Sequence, residues 1–454
     1  MLNHRCSSAK SVMNHAFIKI PVWIDLPADR HEDVPKARYA LAHLLHICGF
    51  TPIWIDSGAT ANGQRFLHYS TAPSEQAIPL PAVLKTFHPD EIGWLADAET
   101  QTKVPVPFAE NGVWDWVQST FFWLSDAQTQ YVTARDAHGR LCYADALQAY
   151  WGVEPLPFVA YYAEQLRQTL EAHGIIGSPP QWQGKRWAFC MTHDVDHIRK
   201  WTPRMWLRLA WRHTDWIRFH DGFSEGLRQL LHHDRAAKIR ATWFFKAGAT
   251  APEDTAYRLN ARSVQRLFRQ LSRDGHEIGL HPSYFAHHHA AYMQAEAVAL
   301  RSATAQTVTS VRQHYLRWDE RHTPQLHAAS GFSAESTLSF VDRDGFRNAT
   351  CHPFQLWDWQ HNAPFPVWEV PLCLHDTTLL QYRALSPDAA LDRSRFWMAE
   401  VRRWRGVCVG LWHNVIYDEA LYPQWSRHFE ATARLVGKSD AAALTIHEAI
   451  RWCS

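Results

Sequence analysis

From Trp187 onward the chain alternates short apolar runs with stretches of helical periodicity, and this rhythm limits the fold more than any other feature of the sequence. The runs are 187 to 192, 241 to 245, 276 to 281, 311 to 316, 367 to 374 and 407 to 412. Strands that alternate with helices build βα units, so an α/β architecture with a parallel sheet or barrel is predicted. In such sheets chemistry gathers at the carboxyl ends of the strands. The polar residues that end or follow the runs are therefore the site candidates: Asp194 and Asp196, His281, His314 and His413.

The first run leads into Met191-Thr-His-Asp-Val-Asp-His197. Successive strand side chains point to opposite faces, so Asp194 and Asp196 lie side by side while Val195 turns away. One carboxylate can then hold a cation and the other move a proton. His193 and His197 flank the pair as candidates for supporting or substrate contacts. In Val311-Arg-Gln-His-Tyr-Leu316 polar and apolar residues alternate, which predicts Arg312 and His314 on one face of a strand. A carboxylate with two imidazoles suits Zn²⁺ or a similar divalent ion and leaves a position for water and a carbonyl oxygen. A further carboxylate and histidine could serve as base and acid. Glu369, Asp376 and Arg347 fall near later strand ends and read as structural residues.

At 454 residues the chain exceeds one average domain and predicts two. Residues 16 to 24 and 52 to 55 read as strands flanking a helical run at 36 to 48, and 111 to 175 reads as helical. This half carries no clustered acids, histidines and cysteines. The turn-rich segment Gly177-Ser-Pro-Pro-Gln-Trp-Gln-Gly-Lys185 marks a boundary. The expected division is an accessory domain, 1 to 180, of smaller α/β or α+β type, followed by a catalytic domain, 185 to 454. Residues 198 to 240 interrupt the rhythm with Trp201, Trp206, Trp211, Trp216 and ten Lys or Arg against four Asp or Glu. They read as a basic, aromatic helical cover, with a lid over an anionic substrate or a membrane-surface contact as alternatives.

The 46 basic and 45 acidic residues leave a formal net charge of +1, so no global field points to nucleic acid. The eight cysteines lack Cys-x-x-Cys spacing, which predicts reduced, mostly buried thiols and neither a zinc ribbon nor a disulfide framework. The first residues lack the apolar core of a signal peptide, and no stretch approaches the roughly 20 apolar residues of a spanning helix; a cytoplasmic protein is expected.

Together, Thr192-His-Asp-Val-Asp196, Ala241-Thr-Trp-Phe-Phe245, Gly275-His-Glu-Ile-Gly-Leu-His281, Arg312-Gln-His-Tyr315 and Leu411-Trp-His413 resemble the motifs of the polysaccharide deacetylase (NodB-homology) carbohydrate esterases. The resemblance covers about 185 to 454. Ser119-Thr-Phe-Phe-Trp-Leu-Ser125 and Ala137-His-Gly-Arg140 look like a subgroup whose N-terminal domain has no assigned function. The resemblance implies a distorted (β/α) barrel and metal-dependent removal of acetyl groups from sugars. It casts Asp194 as base, Asp196 and His281 as metal ligands, Arg312 as the residue that orients the base, and His413 as acid. Tyr315, Tyr284 and His197 are the expected substrate contacts. Two departures stand out: Val195 separates the aspartates, and Phe285 stands where the family has its second metal histidine, four residues after the first. His314 is the expected replacement, with His287 as the alternative. The leading expectation is a metal-dependent deacetylase, with zinc, acting on an N-acetylated sugar or glycan precursor. Hydrolysis of a non-glycan amide on the same fold and an inactive glycan-binding protein are its rivals.

Overall fold

The computed structural model of the protein describes residues 17–61, 63–199, 221–304 and 306–451. Its N-terminal part is built on four parallel strands, β1 (Ile18–Asp25), β2 (Phe50–Ile55), β3 (Leu67–Ser70) and β4 (Ile78–Pro81), in the order β2-β1-β3-β4. Helix α1 (Val34–Cys48) connects the first two, as its apolar spacing predicts: Ala37, Ala40, Leu41, Leu44, Leu45 and Cys48 are all buried. Gly49 ends it in a left-handed conformation at φ 88°, where a Cβ would lie 2.2 Å from the Ser178 carbonyl oxygen, so only glycine fits. Helices α2 (Trp116–Leu124) and α3 (Phe158–Ala172) complete this part.

The second sheet contains β5 (Ala188–Val195), β6 (Thr242–Phe245), β7 (Glu277–Leu280), β8 (Ser310–Val311), β9 (Ala334–Glu335), β10 (Phe354–Asp358), β11 (Ala363–Glu369), β12 (Leu372–His375) and β13 (Val407–His413). Its order is β10-β11-β9-β8-β7-β6-β5-β13-β12, and every pair but the β10–β11 hairpin is parallel. Only Val370 and Pro371 separate β11, which pairs with β9, from β12, which pairs with β13. One continuous stretch, 363 to 375, therefore stands next to one edge of the sheet and forms the other, which curls the sheet into a distorted barrel. Helices α4 (Gly222–Ala236), α5 (Arg262–Asp274), α6 (Ala290–Ala303), α7 (Pro387–Trp404) and α8 (Trp425–Lys438) cover it, as the predicted βα alternation requires. Trp182, from the turn-rich segment between the sheets, is fully buried against barrel residues and donates its indole N–H to the Arg405 carbonyl.

The two sheets share a hydrophobic cluster in which Phe121, Trp123 and Tyr162 join Phe346, Trp357 and Trp397. Polar contacts knit the same seam: Gln128 and Gln148 donate to the Arg347 carbonyl, and the Arg347 guanidinium pairs with Asp126. The six described cysteines are free thiols, five of them buried. Among the described residues no helix is long and apolar enough to cross a membrane.

The structure departs from expectation at 311 to 316. The strand ends at Val311, and 314–316 form a tight turn in which Tyr315 takes φ 61° and Leu316 φ 54°. Arg312 and His314 thus meet at the site through a turn rather than along one strand face. Of the cover at 198 to 240, α4 is helical as expected; Trp201, Trp206, Trp211 and Trp216 lie outside the described residues.

Burial holds several of the numerous histidines neutral. It pushes His327 and His352 down to about 3 and His428 to about 4. Above the ordinary value of 6.5, folded and unfolded chains both carry these rings neutral. Below it the unfolded chain takes up protons that the folded chain refuses, so stability falls as pH falls toward the folded values. Each ring removes up to about 1.4 kcal/mol per pH unit in that window. The urea midpoint is expected to drop from about pH 7 to about pH 5, and a flat profile would contradict this account.

Candidate metal and acid–base centre

Parallel pairing puts the carboxyl ends of the strands on one rim, and the register pairs Asp194 with Phe244 of β6 and with His413 of β13. Across the barrel mouth lies the fully buried side chain of Arg312. Its Nη1 donates to Thr192 Oγ1 (2.7 Å) and Asp194 Oδ1 (3.1 Å), its Nε to the Ser336 carbonyl (2.6 Å) and its Nη2 to Ser336 Oγ (3.0 Å). The guanidinium rests on the Phe244 ring, 4.6 Å from its centre. Asp194 is thereby fixed in rotation, with Oδ2 turned to His281 Nε2 at 3.7 Å.

His281 follows β7, and its Nδ1 lies 2.7 Å from the Arg312 carbonyl oxygen. A carbonyl only accepts, so Nδ1 carries the proton and a neutral ring offers its lone pair at Nε2. That atom is 3.3 Å from Asp196 Oδ1. His314 repeats the arrangement, with Nδ1 2.9 Å from Asp254 Oδ1 and Nε2 3.4 Å from Asp196 Oδ1. Lys246 Nζ also donates to Asp254 Oδ1, at 2.7 Å, and stands 3.1 Å from His314 Nδ1; lysine and imidazole share one carboxylate acceptor. Burial works to raise the Asp254 carboxyl, but the hydrogen bonds from His314 and Lys246 outweigh it and hold it below the ordinary carboxylate range.

One ligand atom from each of Asp196, His281 and His314 lies within 4.8 Å of the others. Asp196 Oδ1, the oxygen facing both imidazoles, is buried without a hydrogen-bond partner among the described residues. A buried carboxylate oxygen confronting two lone pairs is costly, and a cation between them removes the conflict. One oxygen and two imidazole nitrogens form a donor set that suits zinc or a similar divalent ion, and the Nδ1 partners orient both rings toward it.

On the opposite side, His413 ends β13. Its backbone N–H donates to Asp376 Oδ2 at 2.7 Å, its Nδ1 to Asp376 Oδ1 at 2.9 Å, and its Nε2 stands 3.7 Å from Asp196 Oδ2. Burial opposes the charged ring, but Asp376, Asp196 and Asp194 outweigh it and raise His413 to about 10. His375, Asp376 and His413 also meet ligand spacing. Asp376, however, is already occupied by His413 and the Thr377 N–H, so it serves to hold the imidazolium.

These groups line a pocket of about 240 Å³ together with Arg140, Lys246, Glu253, Gln313, Tyr315, Gln381, Tyr382, His375 and His197. A larger cavity of about 340 Å³ in the N-terminal part has aromatic walls, and Arg30 and Lys36 in its lining both pair with Asp33.

The structure brings Asp194, Asp196, His281, Arg312, His314 and His413 together, and Tyr315 and His197 line the same pocket. Two expected residues fall elsewhere. His287 turns its Nδ1 to the Tyr284 carbonyl at 3.1 Å, and Tyr284 lies outside the pocket wall, under the Arg317 guanidinium at 3.9 Å. Their loop is anchored by the Ser283 and Tyr284 N–H groups to Glu296 and Asp254, and His287 is not among the described residues at ligand spacing with Asp196. His193, buried against Asp234 and the Trp412 carbonyl, is part of the core. Sequence reasoning set Asp376 aside as structural, although its position after a strand run was a usable signal. Lys246, directly after the run 241 to 245, carried the same signal; Asp254 and Arg140 carried no strand-end signal, because only the folding of loops brings them to the rim.

Alanine at Asp196, His281 or His314 is expected to lower Zn²⁺ affinity by well over about tenfold, while His287→Ala leaves it unchanged; titration against a chromogenic chelator reads both. Removing Arg312 leaves Asp194 buried and uncompensated, so Arg312→Ala is expected to lower unfolding free energy by about 3–5 kcal/mol in urea denaturation.

No family model matches the sequence, and no curated protein matches it. Solved structures do. One, from Mycobacterium smegmatis, is described provisionally as a polysaccharide deacetylase: 19% identity over 58% of this chain and 89% of that one, with a TM-score of 0.42. The chitin deacetylase of the fungal pathogen Colletotrichum lindemuthianum shares 16% identity over 58% of this chain and 86% of its own, with a TM-score of 0.33. A CE4 family pseudoenzyme from Bacillus anthracis shares 11% identity over 79% of this chain and 88% of its own, also at 0.33. At such scores the superpositions carry no weight on their own, and the fold is read from the strand order described above. The solved structures to which the chain is similar thus include polysaccharide and chitin deacetylases and a pseudoenzyme.

Proposed function

We propose that the protein is a metal-dependent deacetylase that removes the acetyl group from an N-acetylated sugar or glycan precursor. The observation that carries this reading is the unpartnered Asp196 Oδ1, facing His281 Nε2 and His314 Nε2 between an arginine-held carboxylate and an aspartate-held imidazolium. Asp196, His281 and His314 would hold the ion. When bound, a divalent cation supplies Lewis-acid polarisation of the scissile carbonyl and acidifies water.

The chain's own residues do the rest. Asp194, pinned at Oδ1 by Arg312, presents Oδ2 to take a proton from the attacking water. His413 is the acid: its Nδ1 proton is committed to Asp376, and its Nε2 proton points into the pocket, where it protonates the departing amine. The hydrogen bond and charge of Asp376 favour the protonated ring of His413. Tyr315 and Tyr382 offer aromatic faces, and Gln313 and Gln381 amide groups, on which a sugar ring could stack and hydrogen-bond.

The test is acetate release from N-acetylated saccharides by zinc-loaded protein, with small acyclic and cyclic amides alongside. Asp194→Asn and His413→Ala are each expected to lower kcat by about 10²- to 10⁴-fold with little change in zinc content. Turnover of the amides alone would move the substrate class. Saccharide binding without acetate release, indifferent to Asp194→Asn, would defeat the catalytic reading.

A further inference from the structure

Among the described residues, the N-terminal part reaches the pocket of the centre through the loop 136–140. This loop is a tight turn: Asp136 Oδ1 accepts the backbone N–H groups of His138 and Arg140, its Oδ2 accepts Arg140 Nε at 2.8 Å, and Gly139 takes φ 78°. So braced, the Arg140 side chain, 6% exposed, reaches into the pocket wall. Its Nη1 donates to the Tyr315 carbonyl and its Nη2 to the Tyr382 hydroxyl, both at 3.0 Å.

Tyr315 directly follows His314. Tyr315 and Leu316 both hold the left-handed conformation that side chains other than glycine resist, so something outside the turn must keep them there. The loop grips that turn from both sides. Arg140 holds the Tyr315 carbonyl, the His138 carbonyl accepts Arg317 Nε at 2.9 Å, and the His138 ring packs on the Tyr315 ring with centres 4.7 Å apart.

We infer that Arg140 is a positioning residue of the centre: by clamping the left-handed Tyr315–Leu316 turn it keeps His314 aimed at Asp196 and fixes the Tyr315–Tyr382 wall of the pocket. The N-terminal part is then a component of the active centre and not an appendage. This rests on the reading of Asp196, His281 and His314 as the metal-holding set.

The experiment measures Zn²⁺ affinity by chelator competition, and kcat and KM for an acetylated saccharide, on the full-length wild type, Arg140→Ala and Arg140→Lys. Arg140→Ala is expected to weaken Zn²⁺ binding by about tenfold or more and to raise KM, because both the ligand turn and the pocket wall loosen. Lysine keeps the charge opposite Asp136 but cannot span Tyr315 and Tyr382 with one fork, so Arg140→Lys falls between. Arg135→Ala, which removes a guanidinium bonded to the Val132 and Ala134 carbonyls and Glu320 in the same segment, is the control and stays within about twofold of wild type. A folded Arg140→Ala that binds Zn²⁺ within about twofold of wild type overturns the inference. Should that variant fail to fold, unchanged affinity and KM in Arg140→Lys overturn it instead. A wild type that does not bind Zn²⁺ overturns the reading of the centre, and this inference with it. Binding by the wild type with no loss in the variants defeats this inference alone.

Discussion

The geometry of the centre depends on one buried guanidinium. Arg312 lies across the mouth of the barrel, bonded to Thr192 and Asp194 of β5 and to the backbone and side chain of Ser336 after β9, and stacked on Phe244 of β6. Its own carbonyl accepts the Nδ1 proton of His281. A single residue therefore fixes the rotation of Asp194 and the tautomer of His281. A planar fork can do this because its donors are rigidly spaced and always charged. Burying that charge requires opposite charge nearby. Asp194 provides it at 3.1 Å, and Glu335 and Glu369, paired across β9 and β11, contribute from within the barrel. Burial pushes Glu335 up to about 7 and Glu369 well above the carboxylate range. The two carboxyls accordingly keep a proton between them at neutral pH.

Around that arginine, carboxylates of like kind take up different work because their neighbours differ. Asp254 and Asp376 each hold an imidazole by Nδ1, but only Asp254 also holds a lysine. Asp376 has His413 and Thr377 as partners and, with the other carboxylates, keeps His413 charged. Asp196 is left with a bare oxygen. In a largely buried site such differences in partnering decide protonation more strongly than they would at a surface.

The sheet curls through the stretch 363 to 375, which forms β11, next to the edge strand β10, and then β12 at the other edge. Direct parallel pairing of β12 with β13 brings Asp376, the residue after β12, within reach of His413. The N-terminal sheet is tied to this frame by shared core and by polar contacts to the loop around Arg347, which positions residues 136–140 over the rim.

Much of this was legible in the residue order. The alternation of apolar runs and helical stretches specified a parallel α/β sheet, because strands joined by helices have no other compact arrangement. It also put Asp194, Asp196, His281 and His413 on one rim, since a parallel sheet aligns its carboxyl ends. The sequence favoured His314 over His287 as a strand-end residue, but the path of either segment was not legible, because both lie beyond strand ends and depend on distant anchors. His314 reaches Asp196 only because the chain leaves its strand at Val311 and turns through two left-handed residues, a conformation that local propensity disfavours. Likewise, alternation over 311 to 316 predicted a longer strand, and the turn prevailed because contacts with His138, Arg140 and Asp254 stabilise it. The sequence by itself determined which strand ends would carry acids and histidines. Only the tertiary structure decided which of them face one another, share a hydrogen-bond partner or brace a neighbour, because those relations are set by contacts between residues far apart in the chain.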